Sequence, residues 1–298
     1  YGGIAGDYVF DLQQTSDGGY IAAGYSGSDV SGNKTSSKLG IADGWIVKLD
    51  GNGAKMWERT FGGTSSQFIY AIRQSPDGGY ILVGGSNSSP SGNKTSPNFG
   101  DYDFWALKLD SSGNKLWEQS YGGSGEELPG GNWPGSSVST VPDGGFLIVG
   151  RSSSGVGGSK TAPAYGNNDG WLVKIDADGN KKRDQSFGGN GQDGFVTVRQ
   201  TSDGGFVLGG TSDSPVSGNK SVVGFGGSDY WLVKAFAREA PIGTPAVLVN
   251  GQVSPFNAFD LFTVSPVPVT LQTTFTGGTI RYTLDDSTPT AGSTLYTA

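Results

Sequence analysis

The sequence predicts an all-β protein built from four copies of a unit of about sixty residues, and three observations predict it. First, Asp-Gly-Gly followed by an aromatic residue recurs at Asp17, Asp77, Asp143 and Asp203, with spacings of 60, 66 and 60. Second, Lys34, Lys94, Lys160 and Lys220 keep the same spacings, as do Trp45, Trp105, Trp171 and Trp231. Third, 53 of the 298 residues are Gly, placed between short β-branched and aromatic runs that carry no helical period. Fixed-period self-similarity of this length is the mark of a repeat architecture.

Each unit reads as four strands. In the first two units, strand one covers residues 8–14 and 68–74. The Asp-Gly-Gly turn follows, because Gly supplies the positive φ of a tight hairpin. Strand two covers residues 20–25 and 80–84, and a long loop comes next. Strand three covers residues 45–49 and 105–109. A second Gly turn, Asp50-Gly51-Asn52-Gly53 in the first unit, leads to strand four at residues 55–61. The units span 1–60, 61–120, 121–186 and 187–239. The third is longer by six residues, inserted between Gly123 and Asp143.

Four antiparallel strands per repeat, set radially, give a propeller. A β-helix would need a much shorter repeat. In the fourth unit Ala235-Phe236-Ala237-Arg238-Glu239 stands where a Gly turn and fourth strand belong, while Tyr1-Gly2-Gly3 matches the tail of such a strand. We therefore expect residues upstream of Tyr1 to complete the last blade, in a four-bladed ring or a fragment of a larger one.

The pattern Asp-Gly-Gly-aromatic, Asp-x-Trp-x-x-Lys-Leu-Asp, Gly-Asn-Lys-x-Trp and aromatic-Gly-Gly resembles the sixty-residue "delta" propeller repeats of secreted and surface-attached bacterial proteins. The resemblance covers residues 1 to about 236. It implies an extracellular or cell-surface location and carries no activity of its own.

Composition removes several chemistries. Cys and His are absent, so there is no disulfide, thiolate nucleophile, Cys/His zinc site or Ser-His-Asp triad. The net charge of −7 argues against nucleic acid as a partner. No run of about eighteen apolar residues spans a membrane.

The loop between strands two and three is the most distinctive candidate site. It reads Ser31-Gly32-Asn33-Lys34, Ser91-Gly92-Asn93-Lys94, Gly158-Ser159-Lys160 and Ser217-Gly218-Asn219-Lys220. Lys precedes Trp by 11 residues every time, and Asp43, Asp103, Asp169 and Asp229 stand two before each Trp. Constant length and chemistry predict an ordered loop. One reading has Lys cap loop carbonyls or pair with the Asp. The other makes Asn, Lys, Asp and the Trp face a sugar pocket in each unit. The first is the stronger.

Two further candidates are weighed. Asp176-Ala177-Asp178-Gly179-Asn180 looks like the start of a calcium loop, but no acid closes it and the equivalent turns are plain hairpins. No cofactor is therefore expected, with calcium, an oxygen-ligand metal, the alternative left open. Glu126, Glu127 and Trp133 lie in the insertion, where the four-fold equivalence breaks. A carboxylate pair there would suit glycoside hydrolysis, although a solvated loop is the simpler reading.

Past Glu239 the composition shifts. Residues 240–246 read as a Pro/Gly linker, and 247–298 as a small β-sandwich with strands at 246–249, 267–275 and 279–284. Tyr282-Thr283-Leu284-Asp285-Asp286-Ser287-Thr288-Pro289-Thr290 resembles the C-terminal module of chitobiase and β-hexosaminidase, with Asp286 where that pattern has Gly. The sequence is expected to stop before this module is complete. The resemblance implies an accessory domain and no hydrolase activity. The whole reads as a non-enzymatic interaction or adhesion scaffold for a glycan or cell-surface protein. A carboxylate glycosidase and a purely structural surface-layer or filament component are the alternatives.

Overall fold

The computed structural model is all-β. It describes residues 1–131, 136–141, 143–201 and 205–236, and short strands at 246–249, 252–253, 269–272, 281–282 and 294–295. Among these residues no helix is long and apolar enough to cross a membrane.

Four antiparallel sheets follow the four repeats. The first holds β1 (Asp7–Gln14), β2 (Tyr20–Ser26), β3 (Asp43–Leu49) and β4 (Lys55–Phe61), in that order. The second holds β5 (Gln67–Gln74), β6 (Tyr80–Ser86), β7 (Asp103–Leu109) and β8 (Lys115–Tyr121), again in chain order. In the third, the insertion splits the first strand into β9 (Glu127–Pro129) and β10 (Val138–Thr140). Both pair with β11 (Phe146–Ser152), which continues to β12 (Asp169–Ile175) and β13 (Lys181–Phe187). The fourth has three described strands, β14 (Asp193–Gln200), β15 (Gly205–Ser212) and β16 (Asp229–Phe236). The C-terminal region contributes β17 (Ala246–Val249), β18 (Gln252–Val253), β19 (Val269–Gln272), β20 (Arg281–Tyr282) and β21 (Thr294–Leu295). By its internal contacts the chain divides into two units, Tyr1–Gln200 with Leu208–Trp231, and Thr201–Val207 with Leu232–Ala298.

The strand positions follow from side-chain chemistry. Every residue of β6 and β7 is buried, so their centres, residues 80–85 and 104–107, are continuous apolar runs rather than alternations. Trp105, Leu107 and Leu109 join Ile21, Ile46, Ile69 and Ile72 in one core cluster. Phe104 and Ala106, on the opposite face, join Val138, Ile148, Trp171 and Val173 in a second. Sheet two is thus covered on both sides by its neighbours in sequence.

The turns explain the other repeated letters. Gly18 and Gly78 adopt φ of 81°, the left-handed region the hairpin requires. The carboxylates of Asp17, Asp77 and Asp143 are met by Lys48, Lys108 and Lys174 at 2.9, 2.7 and 2.6 Å. Asp176 caps its own turn, accepting from the amides of Asp178 and Asn180 at 3.0 and 2.8 Å. Asp50 and Asp110 do the same in their sheets, so the turn at Asp176 is an ordinary member of the set.

Candidate functional site

In the second, third and fourth repeats the loop is a clip between consecutive sheets. The Asn93 amide oxygen accepts from the Gly62 amide at 2.9 Å, and its Nδ2 donates to the Thr60 carbonyl at 2.9 Å. The Asn93 and Lys94 amides donate to the Gly62 carbonyl at 3.0 and 3.1 Å. Gly62 belongs to the aromatic-Gly-Gly segment that follows β4, and the loop joins β6 to β7. Asn33 grips Gly2, and Asn219 grips Gly188, in the same two-point manner. Where the third repeat has Ser159 in place of Asn, its hydroxyl accepts from the Gly122 amide at 2.9 Å. Asn93→Ala orphans the Gly62 amide and the Thr60 carbonyl; urea unfolding is expected to register a loss of about 2 kcal/mol.

The Lys of each loop is turned inward. Lys34, Lys94, Lys160 and Lys220 are at most 4% exposed. The Lys94 ammonium donates to the Ser96 and Pro97 carbonyls at 2.6 and 3.2 Å, and Lys160 to the Ala162 carbonyl at 2.8 Å. Lys220 donates to the Ser214 and Val222 carbonyls. The expected carbonyl capping is therefore present. The alternative Lys–Asp ion pair is not formed in these loops. Asp43, Asp103, Asp169 and Asp229 instead accept from loop amides at Leu39, Phe99, Tyr165 and Phe225, each at 2.7–2.9 Å.

Glu58, Glu118 and Asp184 hold the other end of the loop. Glu58 accepts from the Thr35 and Ser36 amides, and Asp184 from those of Thr161 and Ala162. Those hydrogen bonds and the neighbouring Lys55 outweigh burial and hold Glu58 down at about 2. Trp45, Trp105, Trp171 and Trp231 are all in the core. A sugar pocket in these loops would need an open Trp face and free polar heads. Among the described residues the Trp rings are packed in the core and the Asn and Lys heads are held by the clip, while Oδ1 of Asp43, Asp103 and Asp169 is buried without a partner.

The insertion separates its two glutamates. Glu127 is wholly buried; its oxygens accept from the Gly123 amide at 2.7 Å and the Ser152 hydroxyl at 2.8 Å. Glu126 is half-buried and pairs with Arg151 at 2.7 Å. The two therefore do not face a common substrate position. Trp133 lies outside the described residues.

Sequence reasoning missed a strip of partly exposed rings running across the first two sheets. Tyr8 stacks on Tyr25 at 4.9 Å, and Phe10 on Tyr70 at 5.3 Å. Phe68 meets Tyr25 edge-on at 4.9 Å and lies 6.0 Å from Tyr102. The strip ends in planar polar groups. Arg151 donates to Asn168 at 3.2 Å as well as pairing with Glu126, and its buried Nε has no partner. Burial, followed by Tyr102 and the Glu126 charge, pushes the Tyr70 hydroxyl up to about 12.

Equivalent rungs of successive sheets build this strip: Tyr8 opposite Tyr25, Phe68 opposite Gly85, Leu128 opposite Arg151. These rungs differ between repeats, while the clip is repeated. That contrast was the available signal.

A family model described as the chitobiase/β-hexosaminidase C-terminal domain matches residues 263–298, which include β19, β20 and β21. No curated protein matches the chain.

Proposed function

We propose that the protein is a non-catalytic interaction or adhesion scaffold of the extracellular or cell-surface kind, and that its ligand is a glycan. The observation that carries this reading is the aromatic strip with its polar end at Glu126, Arg151 and Asn168. Exposed ring surface suits the apolar face of a pyranose, and guanidinium, carboxylate and amide groups suit its hydroxyls. The match at residues 263–298 supports a glycan-related role. The four sheets are proposed to be propeller blades, with the clips fixing each to the next. Glycoside hydrolysis at the insertion is disfavoured by the burial of Glu127.

A glycan array followed by calorimetry on the full chain tests this. Binding to at least one glycan is expected, with Tyr25→Ala weakening it about tenfold, roughly 1.4 kcal/mol. Lys38→Ala, at an exposed position off the strip, leaves it unchanged. Glu126→Gln creates or removes no polysaccharide turnover. A chain that binds no glycan, or loses binding equally in both variants, overturns the reading.

A further inference from the structure

Two pairs of acidic side chains meet inside the sheet-to-sheet junctions. A Cβ placed on Gly122 would lie 1.9 Å from Asp103 Oδ1 and 2.5 Å from Glu127 Oε2, so both oxygens crowd the same point. Asp103 and Glu127 are both 0% exposed. Asp103 Oδ1 has no hydrogen-bond partner, while its Oδ2 accepts from the Phe99 amide. One junction further on, a Cβ on Gly188 would lie 2.5 Å from Asp169 Oδ1 and 2.6 Å from Asp193 Oδ2. Asp169 and Asp193 are also buried, and each has a partnerless Oδ1.

The first junction provides an internal comparison. There a Cβ on Gly62 would lie 2.5 Å from Asp43 Oδ1 and 2.4 Å from Gln67 Oε1. Gln67 occupies the place of Glu127 and Asp193, and accepts from the Gly63 amide as they do from Gly123 and Gly189. The same geometry is thus built once with a neutral amide and twice with a second carboxylate.

Two ionised carboxylates cannot share a dry site without a large cost, and in such dyads one retains its proton well above the ordinary range. The remaining charges around the pairs do not remove this cost. Lys94 and Asp101 face Asp103, and Lys160 faces Asp169 and Glu127. Both lysines already spend their ammoniums on loop carbonyls.

We propose that Asp103 with Glu127, and Asp169 with Asp193, each hold one shared proton in the folded protein, making these two junctions a pH-sensitive latch that loosens as the proton is lost. Burial, then the Glu127 charge, pushes Asp103 up to about 7, and burial and Asp193 push Asp169 upward. A carboxyl group raised on folding contributes stability that is complete below its unfolded value, 3.8, and declines as pH rises through the folded value. The chain has no His, so no side chain of ordinary pKa obscures the window from about pH 5 to about pH 7. Lys94, held down at about 8 by burial, titrates above it.

Thermal unfolding of the full chain across that window tests the latch. The wild-type midpoint is expected to fall as pH rises. Glu127→Gln, which copies Gln67, and Asp193→Asn each flatten part of the slope, and together cut it to what burial alone leaves at Asp43, Asp103 and Asp169. A flat or rising wild-type profile, or a double variant that keeps the full wild-type slope, overturns the proposal. Infrared spectra of the wild type give a reading that needs no variant. A protonated-carboxyl band is expected at about pH 6 and gone by about pH 9. Its absence at the lower pH would equally sink the latch.

Discussion

Gly84→Ala is expected to be the most damaging Gly→Ala change among the described residues, costing at least about 3 kcal/mol in urea unfolding. The reason lies in β5. Its register with β6 shifts between Ile69 and Ala71, so Tyr70 is an extra residue and the strand bends there. The bend drives the Phe68 carbonyl against Gly84, where an added Cβ would stand 1.8 Å from that oxygen. Gly84 has no room to retreat, because β6 is hydrogen-bonded on both edges. Gly24, Gly150 and Gly210 face the same collision, at 1.9, 2.1 and 1.9 Å from the backbone oxygens of Tyr8, Leu128 and Gly194. Gly78→Ala is the informative contrast. Its φ is 81° but nothing lies within 4 Å of the added carbon, so only backbone strain remains, about 1–2 kcal/mol. If the two variants unfold at the same urea concentration, the close approach is not what requires Gly84.

Lys94→Met carries the second-largest expected effect, a loss of about 3 kcal/mol. The variant keeps the volume of the stem and deletes the ammonium. That ammonium is 2% exposed with its side chain and donates to two carbonyls and to the Ser120 hydroxyl. Hydrogen bonds from a charged donor are worth about 1.5–3 kcal/mol each, and the deserted carbonyls stay buried. Relief of the ammonium's own desolvation offsets part of this, so the sum falls short of three full bonds. Lys94→Arg is not expected to rescue stability, because the planar fork does not fit a site shaped for three converging acceptors. Chemical denaturation of the pair decides it, and an Arg variant as stable as wild type would show that charge alone suffices.

Much of the scaffold was legible in the sequence. Strand four of the first unit falls on residues 55–61 in both reading and structure, and strands one to three of the first two units differ by two residues or fewer at each end. The letters that punctuate a repeat act locally: Gly opens the turn, and Asp caps it. Of the strands read at 267–275 and 279–284, Val269–Gln272 and Arg281–Tyr282 are strand, and the rest of both ranges lies outside the described residues.

What stayed hidden depends on residues brought together from afar. Asn93 could be flagged as a repeated polar residue, but its partner Gly62 is 31 positions earlier and in another sheet. Asp103 could be flagged likewise, yet nothing in its neighbourhood pointed to Glu127 across the junction. The aromatic strip was hidden for a different reason. The bulges at Phe10 and Tyr70 break the two-residue alternation, so side chains on one strand cannot be assigned to a face by counting. Its residues also change from repeat to repeat, from Tyr25 to Gly85 to Arg151, and a search for constant letters passes over them.

The Ser-Gly-Asn-Lys loops join sheets and do not wait for a ligand. Native-state hydrogen exchange on the ligand-free chain tests it most directly, at the amides of Asn93, Lys94, Lys160 and Lys220 and of Gly62, Gly122 and Gly188. These amides are bound across the junctions, to Gly62, Gly122 and Gly188 carbonyls or to Asn and Ser side chains. Protection comparable to that of the flanking strands is predicted, with the Gly62 and Lys94 amides losing it together in Asn93→Ala. Exchange at the rate of an open loop in the wild type, slowed only when a glycan is added, would show that the loops wait for a ligand and do not join sheets.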